Sequence, residues 1–76
     1  MNVSKIIEIF EDILDVQKGT VNINTTPSDF DEWDSVATVN IIVALEDEFK
    51  IKFKLKDIER AKKVQDFVDL VQANKK

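Results

Sequence analysis

Residues 35–49 read SVATVNIIVALEDEF, a run without a glycine or proline, and how this run is read decides the fold. The stretch from Val39 to Val43 is rich in β-branched side chains, which are stiff at χ1 and pack well on a pleated sheet. Length decides against a strand, because strands usually run to about 4–8 residues and a longer unbroken periodic segment is a helix. Wound as a helix, the segment puts Val36, Val39, Ile42 or Val43, and Phe49 on one stripe, the expected buried face. Asp34 or Ser35 supplies the amino-terminal cap.

Upstream, periodicity fails from Val16 to Asp34. Gly19, Asn22, Asn24, Thr25, Thr26, Pro27 and Ser28 bring turn and breaker chemistry, so this is a long ordered loop. Its apolar members Val21, Ile23, Phe30 and Trp33 imply that it lies over the core. Before it, residues 3–15 space Val3, Ile6, Ile7, Phe10, Ile13 and Leu14 as the apolar stripe of a helix, with Lys5, Glu8, Glu11, Asp12 and Asp15 opposite and Asn2 or Ser4 as cap. Downstream, Ile51, Phe53 and Leu55 alternate with Lys50, Lys52, Lys54 and Lys56. A lone strand has no partner to pair with, so this is an extended connector with a wet lysine face. Asp57 caps a short helix around Ile58 to Ala61. Val64, Phe67, Val68 and Val71 mark a last helix with Leu70 beside the stripe, and Asn74, Lys75 and Lys76 fray. The expected fold is all-α: a small four-helix bundle of three longer helices and one short one, with a long loop between helices one and two, forming one domain over residues 1–76.

Composition narrows the chemistry. The 76 residues are 43% hydrophobic and 34% charged, with one Gly, one Pro, and no Cys or His. There is no disulfide framework, no thiolate metal site and no imidazole base, and a chain this short has little room for a substrate cleft. No catalytic residue and no metal site is expected. The acidic run Asp29, Asp31, Glu32, Asp34 invites a calcium loop, but counted from Asp29 the fifth position is Trp33, the turn glycine is Asp34 and the closing acid is Asn40. The net charge of −4 argues against nucleic acid as a partner. The charge is uneven, net −6 over residues 1–34 and +2 over residues 35–76. No apolar run of membrane-spanning length and no signal-peptide core is present, so the chain is expected in the cytoplasm without membrane insertion; separately, a monomer is expected. Ser35 has two readings on residue type and position. It caps the helix, or its hydroxyl accepts a modification where free amides and the helix dipole favour an added phosphate.

Asp34-Ser35-Val36, then Thr38-Val39, then Ala44-Leu45-Glu46-Asp47-Glu48-Phe49 with Ile51 beyond, resembles the Asp-Ser-Leu segment and second helix of acyl carrier proteins. The likeness continues through Asp57, Ile58, Val64, Asp66 and Val68. The resemblance implies that Ser35, flanked by Asp34 and Val36, carries 4′-phosphopantetheine through a phosphodiester, and that the terminal thiol of the arm holds an acyl group as a thioester. The partners it implies are a phosphopantetheinyl transferase and acyl-loading and acyl-transferring enzymes. Trp33, Asp34, Val36, Glu46, Asp47 and Glu48 are the residues it offers to them, with packing on the core the favoured role for Trp33. It also implies apolar inner faces that shelter cargo, here Val36, Val39, Ile42, Val43, Leu45, Phe49, Ile51, Ile58, Val64 and Phe67. The chain departs from the family pattern in three places. Val36 replaces the usual Leu, Ala37 and Asn40 stand where fatty-acid carriers usually have acids, and Glu32-Trp33 replaces a glycine-containing approach. Trp33-Asp34-Ser35 is similar to the pattern of specialised carriers serving secondary or surface-polymer pathways, and the loss of acids at Ala37 and Asn40 argues against standard fatty-acid partners. A fatty-acid-like, polyketide or other specialised pathway is the expectation. An aminoacyl or peptidyl carrier and an unmodified helical interaction module are the alternative expectations.

Overall fold

The computed structural model describes residues 3–74, in the order α1 (Val3–Leu14), a short 3₁₀ turn (Pro27–Asp29), α2 (Ser35–Phe49), α3 (Leu55–Arg60) and α4 (Val64–Asn74). The described residues contain no strand, as expected for an all-α four-helix bundle. None of the helices is long and apolar enough to cross a membrane. The expected ends of α1 and α2 agree with the structure to within a residue. The proposed cap Ser4 lies inside α1, and Asn2 falls outside the described residues, as do Lys75 and Lys76. Asn74 still belongs to α4, where its side-chain amide donates to the Leu70 carbonyl at 2.8 Å.

Ile6, Phe10 and Leu14 from α1, Ile41 and Leu45 from α2, and Val64, Phe67, Val68 and Val71 from α4 are almost fully excluded from water. Their spacing on α1 and α4 follows the helical period, so burying one face of each is what holds the bundle together. The expected face of α2 is corrected. Ala37, Ile41, Ile42 and Leu45 are buried, whereas Val36, Val39 and Val43 are 69%, 58% and 57% exposed. This helix carries two apolar stripes on roughly opposite sides. The one with the larger isoleucine and leucine side chains, and with an alanine that lets another element approach closely, wins the core.

The start of α3 also differs from the sequence expectation. Leu55 opens the helix and is 70% exposed instead of ending a buried alternation, and Asp57 lies in the first turn instead of capping it. The N-cap position is Lys54, which makes no side-chain capping bond. α3 buries none of its residues, although Ile58 packs partly against the core.

The long loop is held by polar groups from both sides. Glu11, expected on the polar face of α1, is only 5% exposed, and its carboxylate accepts hydrogen bonds from the amides of Gly19 at 2.8 Å and Val21 at 3.2 Å. Further on, the Thr25 and Ile23 carbonyls accept from Val64 and Gln65 N–H, at 3.0 and 2.9 Å, and so satisfy amides at the start of α4. Val21 and Trp33 are buried and Phe30 partly so, as expected of a loop over the core, while Ile23 is 38% exposed. Glu11→Ala strands two amides, one of them buried. We expect it to lower stability by about 1–3 kcal/mol in urea unfolding, the usual cost of leaving a buried donor unsatisfied.

Candidate functional site

α2 begins where the loop has been brought back to the core. Asp34 has extended backbone (φ −102°, ψ −170°), and its carboxylate accepts from the Ala37 N–H at 2.9 Å. This satisfies one of the amides that every helix start leaves without a partner, and it sets negative charge at the positive end of the helix dipole. Asp34 is therefore the cap. Ser35 is the first helical residue and is exposed, so its hydroxyl stands outside the capping arrangement.

Behind Asp34 runs a chain of hydrogen bonds into the core. The Thr38 hydroxyl and the Thr38 N–H both donate to the Asp34 carbonyl, each at 3.0 Å. The Trp33 indole N–H donates to the Thr38 hydroxyl oxygen at 2.8 Å. Trp33 is 5% exposed and packs among aromatic rings from two helices, its centroid 5.2 Å from Phe10 of α1 at 69° and 6.3 Å from Phe67 of α4. Phe10 and Phe67 stand edge to face, 5.5 Å apart, an arrangement that aromatic quadrupoles favour. The sequence reading missed Thr38 in this role. Its available signal was a hydroxyl one turn after a capping residue, where Thr can bond back to the carbonyl four residues earlier.

The remaining site residues separate by exposure. Asp34, Val36, Asp47 and Glu48 face solvent beside or along α2. Trp33 does not, and its packing role is the one the structure displays. Glu46 is half-buried, and its carboxylate accepts from the Phe53 N–H at 2.9 Å, which ties the connector back to α2. Of the apolar residues expected to shelter cargo, Ile42, Leu45, Ile51, Val64 and Phe67 are in the core, and Phe49 and Ile58 are at its edge. Val36, Val39 and Val43 point the other way and form an exposed apolar stripe that starts next to Ser35.

The family model for the phosphopantetheine attachment site matches residues 4–71. Among solved structures, the fold is similar to a holo acyl carrier protein from Geobacter metallireducens. That match has a TM-score of 0.86 at 35% identity and covers 97% of this chain and 86% of that one. It is also similar to a Mycobacterium tuberculosis protein described as an acyl carrier protein, with a TM-score of 0.86 at 27% identity, over 96% of this chain and 97% of that one. With a family match running from α1 into α4, and two relatives that share the fold over nearly the whole chain, the chain belongs to the phosphopantetheine attachment family, as an acyl carrier protein whose prosthetic group is 4′-phosphopantetheine.

Proposed function

We propose that Ser35 is the attachment point of the arm, and that the chain carries an acyl intermediate between enzymes of a specialised pathway instead of catalysing a step itself. One observation carries this reading: at the start of α2 the cap belongs to the Asp34 carboxylate, and Ser35 beside it is exposed. In the transfer, the Ser35 oxygen attacks the coenzyme A phosphorus that bears the pantetheine. An O–P bond forms, the diphosphate P–O bond breaks, adenosine 3′,5′-bisphosphate leaves, and the hydroxyl proton passes to a base of the transferase. The new phosphodiester then lies by the amino end of α2, where the dipole favours negative charge by roughly 0.3–1 kcal/mol. When attached, the arm supplies the thiol on which cargo is held as a thioester. α3 buries none of its residues, so it is the element that moves at least cost to shelter a chain near Ile51, Phe53 and Ile58.

The face that follows Ser35 along α2 supports partners outside standard fatty-acid synthesis. Val36, Val39, Asn40 and Val43 carry no charge there, and the acids lie further on at Asp47 and Glu48. An enzyme covering Ser35 meets an apolar stripe first, and its docking depends on contact more than on charge. Val36→Asp and Val39→Asp are therefore expected to raise the transferase KM for this carrier about tenfold, or 1.4 kcal/mol. Both positions are exposed, so urea unfolding stays within about 0.5 kcal/mol of the parent. An unchanged KM would mean that the enzyme does not read this stripe.

The reading as a carrier is tested by the intact mass of the chain after incubation with coenzyme A and a broad-specificity phosphopantetheinyl transferase. The expected result is a gain of one phosphopantetheine. No gain with several transferases, while another carrier is modified in parallel, would leave a helical module that binds partners without an arm. The chain-length selectivity of the loaded thioester then separates acyl from aminoacyl cargo.

A further inference from the structure

We propose that Thr38 and Trp33 are positioning residues for transfer of the arm, an inference that rests on Ser35 as the acceptor. The hydrogen bonds run in one direction. A threonine hydroxyl has a single proton, and here it is donated to the Asp34 carbonyl at 3.0 Å, which leaves an oxygen lone pair to accept the Trp33 indole N–H at 2.8 Å. The Asp34 carbonyl belongs to the same planar peptide unit as the Ser35 nitrogen, so holding that oxygen fixes the plane from which the Ser35 side chain departs. The oxygen is held twice, by the Thr38 hydroxyl and the Thr38 N–H, and the Asp34 carboxylate is held separately by Ala37. At the other end, the indole is fixed by Phe10 and Phe67. The position of the Ser35 Cα, from which the side chain departs, is thereby referenced to α1 and α4 and does not depend on the loop alone. Chains of this kind strengthen one another. Small losses of alignment at an attacking oxygen translate into large losses of rate.

Thr38→Val keeps the shape of the side chain and removes the hydroxyl. Trp33→Phe keeps a ring against Phe10 and Phe67 and removes the N–H. Both are to be assayed for transfer of phosphopantetheine from coenzyme A, at a temperature where circular dichroism shows parent and variants fully folded. Each is expected to lower the transferase kcat about tenfold with the KM for the carrier within twofold of the parent, the split expected when alignment and not docking is lost. Thr38→Ser, which retains the hydroxyl, restores the parental kcat. Because both residues act through one chain, the double variant is no slower than the slower single one. A merely structural role would lower the melting temperature while leaving kcat unchanged in the folded protein, and that result overturns the proposal. So does multiplication of the two effects in the double variant, or a Thr38→Ser variant as slow as Thr38→Val. Failure of the parent itself to gain the arm would remove the Ser35 reading along with this one, whereas normal charging of both parent and Thr38→Val removes this one alone.

Discussion

Ser35→Ala is expected to gain no phosphopantetheine under conditions that charge the parent completely, while its melting temperature stays within a few degrees of the parent's. The two halves of that result come from different atoms. In the proposed transfer the hydroxyl is the acceptor, and alanine offers no oxygen, so the loss is expected to be complete and not a matter of degree. Stability is spared because Ser35 is exposed and does not cap α2. Surface changes of this kind stay within about 0.5 kcal/mol. Asp34→Ala separates the roles from the other side, since removing the side chain that accepts from Ala37 costs about 0.5–2 kcal/mol while leaving the acceptor oxygen in place. An Ser35→Ala protein that melts far below the parent would show that the hydroxyl has a structural function that the exposed position does not reveal.

Trp33→Ala should remove between about a quarter and all of the chain's stability. Large aromatic-to-alanine changes in a packed core cost about 3–5 kcal/mol. A domain of this size has a total of roughly 4–11 kcal/mol at 0.05–0.15 kcal/mol per residue. Trp33 is 5% exposed, meets Phe10 and Phe67, and donates its indole N–H to Thr38. Its loss opens a cavity where the loop joins α1 and α4, and it also releases the start of α2. Each kcal/mol shifts the midpoint by about 4–8 °C in a domain of this size. Thermal unfolding followed by far-ultraviolet circular dichroism should therefore show a fall of roughly 12–40 °C or no cooperative transition. A fall of only a few degrees would mean that the aromatic cluster is not what anchors the loop.

The helices α1, α2 and α4 were legible in the sequence because hydrophobic period, length and breakers agree over each of them, and the loop was legible because all three fail together between Val16 and Asp34. The buried face of α2 was not. Val36, Val39 and Val43 make as regular a stripe as Ala37, Ile41 and Leu45, and only the packing against other elements selects between them. α3 starts earlier than its pattern suggests, because Leu55 continues the alternation of Ile51 and Phe53 and Asp57 is a better capping residue by type than Lys54. Glu11 departs from its expected place for a related reason. Helical pattern puts a glutamate in water, and the amides that hold it in the interior come from the loop, at Gly19 and Val21. At the site, Asp34, Ser35 and Trp33 stand next to one another in the chain and could be singled out from type and order. The bond from Trp33 to Thr38 depends on how the loop turns into the helix, which no spacing rule encodes.

The central claim is that one particular hydroxyl carries the arm. The chain offers three serines. Ser4 is on the exposed side of α1, Ser28 is exposed in the 3₁₀ turn, and Ser35 is at the start of α2. Exposure alone does not distinguish them. Tandem mass spectrometry of peptides from the charged protein does. The account predicts phosphopantetheine on the peptide and fragment ions that contain Ser35, with Ser4 and Ser28 unmodified. The arm on either of those serines, or distributed among all three, would contradict it.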